Sequence, residues 1–180
     1  MSVTTPDRFL PDLPAELAAE GFTLRIETEE DEPFLERLYL SVRWDEMALA
    51  GWPPEKADPF LRWQFGLQRH HYRTHYHDAV FTILEKSGEP VGRLYLFRNR
   101  IDIRVVDISL LPVVRGQGVG GALLRALLTE AEAAGRTVSI HVEHFNPARR
   151  LYERLGFQEL SRDQVYALME WRVPALAAGG

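Results

Sequence analysis

No cysteine occurs among the 180 residues of this chain. Disulfides, thiolate metal sites and acyl-cysteine intermediates are therefore excluded. No apolar stretch approaches the roughly 20 residues that cross a bilayer, and the opening from Met1 to Asp7 lacks the basic and apolar blocks of a secretion signal. These absences point to a cytoplasmic protein with no membrane partner. Positive charge is scarce too: 21 lysines and arginines stand against 26 acids, a formal net charge of −5 that argues against nucleic acid. His70, His71, His75 and His77 cluster, but no acid or third histidine stands at a spacing that would complete a site with His71 and His75, so no metal is expected. Internal repeats are also missing. What remains is an ordinary composition, 46% hydrophobic and 26% charged, at a length that suits one domain. Oligomeric state stays open, a homodimer included.

The most informative stretch runs from Leu110 to Leu124. An apolar run ends at Pro112, a glycine-studded loop follows, and Leu123, Leu124, Leu127 and Leu128 then recur at helical spacing. Glycine admits close backbone approach and the first turn of a helix has unpaired N–H groups, so Gly116 to Gly121 is suited to an anion such as a pyrophosphate. A Walker A loop would end in Gly-Lys followed by Ser or Thr, and Gly120-Gly121-Ala122 does not. The dinucleotide fingerprint is formally met by Gly116, Gly118 and Gly121, with Glu143 near the ribose-binding position. Pro112 to Arg115, however, separates the strand from the first glycine, and too little chain follows for the remaining parallel strands. A nicotinamide-dependent oxidoreductase is thus a remote alternative.

A third pattern, R-x-x-G-x-G, is met by Arg115, Gly118 and Gly120, and downstream Asn146-Pro147-Ala148-Arg149-Arg150-Leu151-Tyr152-Glu153-Arg154-Leu155-Gly156-Phe157 follows N-x-x-A-x-x-L-Y-E-x-x-G-F. With these two motifs in this order, one helix and one strand apart, the chain resembles the GNAT (Gcn5-related N-acetyltransferase) superfamily. The resemblance implies an α/β fold with a central mixed, mostly antiparallel seven-stranded sheet flanked by about four helices. It implies acetyl-CoA as acyl donor and an amine acceptor, a small molecule or a protein N-terminal or lysine amine. Without cysteine, transfer would pass directly within a ternary complex.

The rest of the chain fits that plan. Residues 1–20 read as a tail with one helical turn at Ala15 to Ala19, residues 21–173 as a single domain and 174–180 as a second tail. Phe22 to Ile26 alternates as a strand, and Thr28 with Asp31 makes a capping box opening a helix through Leu35, Leu38, Tyr39 and Val42. Trp44 to Pro54 reads as a loop, and Asp58-Pro59 as the cap and first position of a helix reaching Tyr72. Strands at Ala79–Leu84 and Val91–Phe97 form a hairpin, and Asp102 to Leu111 feeds the anion loop. A helix from Gly118 to Ala134, a strand from Thr137 to Glu143, a helix ending at Gly156 and a closing hairpin complete the chain.

Acetyl transfer to an amine needs a base for the ammonium, donors for the thioester carbonyl and an acid for the thiolate. Resemblance assigns the donors to the backbone near Leu110 and Leu111, on a strand splaying from its neighbour after Ile108, and the acid to Tyr152. It assigns the coenzyme to Leu110, Leu111, Arg115, Gly116, Gln117, Gly118, Val119, Gly120, Gly121 and Asn146. Asp107, an acid inside the run Val105-Val106-Asp107-Ile108, is a candidate base, with a structural carboxylate as the competing reading. Glu143 and His141 share one face of their strand and are further candidates, as are Asp102 and a water relay. The first two helices and their connection shape the acceptor pocket in the superfamily, so Trp44, Glu46 and Trp52 are candidates for the acceptor. A coenzyme A-binding sensor without activity is the main alternative.

Overall fold

Residues 10–174 are described by the computed structural model, and the predicted tail segments 1–9 and 175–180 lie outside them. Phe22–Ile26 (β1), Val80–Lys86 (β2), Glu89–Arg98 (β3) and Asp102–Leu110 (β4) pair antiparallel in sequence order. Thr137–Glu143 (β5) adds parallel to β4, which requires a crossover, and Val119–Ala134 (α4) supplies it. Tyr166–Trp171 (β7) lies between β5 and Gln158–Arg162 (β6), so the seven strands run β1-β2-β3-β4-β5-β7-β6.

Each face of the sheet is covered. On one face Leu94, Leu96, Ile103 and Val105 pack against Leu124, Leu127 and Ala131 of α4, joined by Tyr152 from Arg149–Arg154 (α5). On the other, Phe34, Leu35 and Leu38 of Glu32–Leu49 (α2) meet Leu61 and Phe65 of Pro54–His75 (α3) over Ile83. Each such fully buried side chain contributes about 1.5–3 kcal/mol. The predicted Ala15–Ala19 turn forms (α1), and its Leu17 is buried against Phe22, Leu84 and Val91. Segment 1–20 is thus packed in part, and α1 makes a fifth helix.

Two helices differ from expectation. The Thr28–Asp31 capping box is present, with both reciprocal bonds, but α2 continues through Leu49 because no breaker occurs before Gly51. Trp44 and Glu46 therefore stand on a helix, not in a loop. The third helix starts at Pro54, with Pro53 as its cap, so Asp58-Pro59 lies inside it. Pro59 forfeits the bond its N–H would have made to Glu55 O, one turn into the helix, and Asp58 is used instead as the i,i+4 partner of Arg62 at 2.7 Å. The same helix extends past Tyr72 to His75, where His71 and His75 stack at 4.3 Å.

One irregularity in the sheet shapes the site. Tyr95 pairs with Asp107 but Leu96 pairs with Val105, so Val106 is an extra residue, a β-bulge. Strict alternation would place Asp107 with Ile103 and Val105, against α4. The bulge inverts the parity: Asp107 and Ser109 turn toward α3, and Ile108 and Leu110 turn toward Val119, Ala122 and Leu123.

Candidate active site

A bulge increases local twist, and here it drives two strands apart. The β4–β5 pairing runs only from Asp102↔Thr137 to Val105↔Ile140. The splay therefore begins at the bulge and not after Ile108, as the resemblance had placed it. Backbone groups alternate in direction along β4. Leu111 N–H donates to Val91 O at 2.8 Å, facing β3, so it is not among the free donors expected near Leu110 and Leu111. Ile108 and Leu110 have the opposite parity and face the open edge, where the Leu110 carbonyl accepts from Arg115 Nε at 2.7 Å.

The gap opens into a cleft of about 880 Å³ bounded by α2, α3, β4 and β5. At one end of the open edge lies the anion loop. Gly118, at φ 80°, is the N-cap of α4, no side chain caps the helix, and no acid stands in its first turn. The first helical bond runs from Ala122 N–H to Gly118 O, leaving Val119, Gly120 and Gly121 as first-turn donors. A Cβ on Gly116 or Gly118 would meet nothing within 4 Å, and one on Gly120 only Leu110 Cδ1 and Leu151 Cδ2, both at 3.9 Å. Packing tolerates a Cβ at Gly120, whereas close approach of a diphosphate to the amides would demand glycine there. The loop thus fits the phosphates of coenzyme A. Gln117 Nε2 braces it by donating to Val113 O at 2.9 Å, as Arg115 does through Leu110.

Leu151, beside Gly120, leads directly to Tyr152, which lines the cleft while only 4% exposed. Burial first, and Asp107 second, push its hydroxyl well above the ordinary tyrosine value, so it keeps its proton at neutral pH. Asn146, also on the lining, accepts from Ala148 N–H at 2.9 Å and holds the turn into α5.

The candidate bases differ in their surroundings. Asp107 accepts from Tyr72 Oη at 2.8 Å, Arg93 Nη2 at 2.8 Å and Ser109 Oγ at 2.6 Å. Its oxygens are occupied. Glu143, on the lining, accepts from Arg43 Nη1 at 2.5 Å through Oε1, and its other oxygen has no hydrogen-bond partner among the described residues. Glu46, on the lining, shares the same Arg43 at 3.1 Å. Asp102 accepts from Thr137 at 2.6 Å and Ser139 at 2.5 Å, fastening β4 to β5. His141 faces Arg104 Nη1 at 3.1 Å. Trp44 and Trp52 are exposed and lie outside the lining, although the Trp52 ring packs, tilted, 5.0 Å from that of Phe60, which belongs to it.

Arg43, Tyr72, Arg93 and Arg104 carry much of the site's electrostatics, and sequence reasoning passed over them. Arg93 left a trace: an arginine inside the apolar run Val91 to Phe97 needs a counter-charge, and Asp107 in the neighbouring strand is that counter-charge.

The chain matches the acetyltransferase (GNAT) family over residues 23–157. A ribosomal protein bS18-alanine N-acetyltransferase of Haemophilus influenzae is 26% identical over 107 residues, 59% of this chain and 71% of that protein. A Bacillus subtilis protein provisionally named for the same reaction is 29% identical over 83 residues, 44% of this chain and 54% of that protein. Thus the chain spans about half the length of one of these relatives. Among solved structures, the PaiA N-acetyltransferase of Thermoplasma acidophilum in complex with coenzyme A superposes with a TM-score of 0.64 at 18% identity, covering 84% of this chain and 99% of that one. Ard1 from Thermoplasma volcanium gives 0.57 at 18% identity, covering 85% and 98%. With the family matched across both signature motifs and the sheet split where a coenzyme arm would enter, the chain belongs to the acetyltransferase (GNAT) family, whose chemistry is N-acetyl transfer from acetyl-CoA to an amine.

Proposed function

We propose that this chain acetylates the α-amine at the N-terminus of a peptide or protein, directly from acetyl-CoA in a ternary complex. The observation that supports it most is the open edge of β4, bounded by the bare first turn of α4 at one end and by Tyr152 beside it. Acetyl-CoA supplies the acetyl group as an activated thioester. The residues to hold it are the amides of Arg115 to Gly121 for its phosphates, with Asn146 near its arm and the open-edge N–H groups of Ile108 and Leu110 as donors. Leu111 contributes packing and not its N–H, which Val91 occupies.

Tyr152 keeps its proton and is the acid for the departing thiolate. Glu143, on the cleft lining with one carboxylate oxygen unpartnered among the described residues, accepts the ammonium proton directly or through water. Asp107 is a positioning carboxylate that fixes Tyr72 and Ser109. Glu46 adds negative charge at the mouth for a cationic acceptor, while Trp44 and Trp52 stand farther out. An α-amine, with a pKa near 8, asks less of a single shared glutamate than a lysine near 10.4. The ribosomal-alanine relatives favour the same acceptor, which would place the enzyme in the cytoplasm.

The test is thiol release from acetyl-CoA with three acceptors: a peptide with a free N-terminal alanine, the same peptide N-blocked with one internal lysine, and a small diamine. Saturable release with the first, at least about tenfold above the others, is expected. Preference for lysine removes the acceptor assignment. Coenzyme A binding with no amine-dependent release would instead favour a sensor.

A further inference from the structure

His141 occupies the crotch where β5 leaves β4, one residue beyond the last pair, Val105↔Ile140, and on the same strand face as Glu143. Its environment decides what it can do there. The Arg104 Nη1 nitrogen lies 3.1 Å from His141 Nδ1. A guanidinium has only donors, so Nδ1 must accept, and the single proton of the neutral ring must sit on Nε2. Arg104 is not free to swing away. Its Nε donates to Ser139 Oγ at 2.7 Å, and that hydroxyl donates to Asp102 Oδ2 at 2.5 Å, while Thr137 donates to Asp102 Oδ1 at 2.6 Å. All four residues lie in the paired part of β4 and β5, where the backbone is fixed.

Burial first and Arg104 second pull the imidazole below the ordinary histidine value, with Asp163 opposing them as the weakest influence. The ring is therefore neutral at physiological pH, with its basic nitrogen already engaged. A proton-accepting role for His141 would require the Arg104 contact to break. No hydrogen-bond partner for Nε2 occurs among the described residues, although the ring lines the cleft.

Resting on the acceptor assignment above, we propose that His141 is a specificity-determining hydrogen-bond donor: its Nε2–H, set by the Arg104–Ser139–Asp102 chain, reads the carbonyl oxygen next to the acceptor's amine. Alternate residues on a strand stand about 7 Å apart on one face. Glu143 and His141 thus offer an acceptor for the amine and a donor for a carbonyl a few ångström from it. That pair of groups is the head of any peptide. A plain alkylamine or a lysine side chain has the first and lacks the second.

Two acceptors isolate the contact, alaninamide and isopropylamine, which shares the amine and methyl but has no carbonyl. Acetyl transfer is followed with wild type, His141→Gln, which keeps a donor near the Nε2 position, and His141→Leu, which has none. Wild type should favour alaninamide. Leucine should lower kcat/KM for alaninamide about tenfold to a hundredfold, mainly through KM, and change isopropylamine less than about threefold. Glutamine should restore most of the loss. His141 lines the cleft and belongs to none of the hydrophobic clusters, so both variants should melt near wild type, and the acid limb of the pH–rate profile should stay in place in each. Equal loss of kcat on both amines in both variants, with that limb displaced, would make His141 a base and overturn the proposal. Unchanged preference in the leucine variant would overturn it also. If wild type acetylates isopropylamine as well as alaninamide, the inference fails while the acetyltransferase assignment stands. If it acetylates neither these nor the peptide, the assignment itself falls and the inference with it.

Discussion

A tyrosine hydroxyl buried beside a carboxylate is a poor place to lose a proton and a good place to keep one for delivery. Tyr152→Phe removes the O–H but leaves the ring packed near Phe157. Turnover should fall by about a hundredfold, with coenzyme A affinity within about twofold by calorimetry. Unchanged turnover would remove the acid role. Asp107 calls for a different measurement because its guanidinium partner is 2% exposed, with Nε and Nη1 unpartnered. Asp107→Ala strands that charge, so urea unfolding should show a loss of about 3–5 kcal/mol. A loss below about 1 kcal/mol would mean that the pair is not the keystone of this face.

Between elements, the site depends on junctions that sequence shows unevenly. Gly120 lies where β4, α4 and α5 meet, and a Cβ added there would meet Leu110 and Leu151 only at 3.9 Å, an ordinary contact distance. Gly120→Val should therefore weaken coenzyme A at least about tenfold while changing stability by about 1 kcal/mol or less, the helix-propensity difference being small. Equal losses would mark the glycine as structural. The turn from β1 into α2 is held by Arg25, which donates to both Asp31 oxygens at 2.7 and 2.8 Å. Those bonds hold the Asp31 carboxyl below the ordinary aspartate value, against burial and with help from Thr28 N–H. A depressed pKa contributes stability above the unfolded value near 3.9 and loses it as pH falls through the folded value. Asp31→Asn should thus melt below wild type at pH 7, and the gap should narrow as pH falls below the unfolded value near 3.9. A gap as wide at pH 3 as at pH 7 would exclude this source. Hairpins and the glycine loop were legible because each is a local code of a few residues, and the Thr28–Asp31 box formed as read, whereas the Asp58-Pro59 cap fell inside α3. The bulge at Val106 was not legible, since two valines in a row fit an ordinary strand equally well. With it went the side of the sheet that Asp107 faces and the point where the strands part. The loop expected at Trp44 to Pro54 failed for a simpler reason: Gly51 and Pro53-Pro54 break the chain only after Leu49, and Trp44 to Leu49 carries no breaker of its own.

For the molecule as a whole, topology turns these local features into one site. A meander on one side and a crossover on the other leave a single parallel pair among the described strands, and the bulge opens that pair. The excess of acids is no obstacle to an anionic coenzyme if, as proposed, the contact is made by amides of a bare helix end. Ligand and fold must then be linked: acetyl-CoA at 100 times its dissociation constant should stabilise wild type by about 2.7 kcal/mol and Gly120→Val by far less at the same concentration. Equal shifts would place the coenzyme elsewhere. The central claim is spatial, and a crystal of the complex with coenzyme A tests it most directly. Diphosphate on the amides of Arg115 to Gly121, the arm along Ile108 and Leu110, and sulfur within hydrogen-bond reach of Tyr152 Oη are the predicted result. Coenzyme bound outside the β4–β5 gap, or with its sulfur turned away from Tyr152, would contradict it.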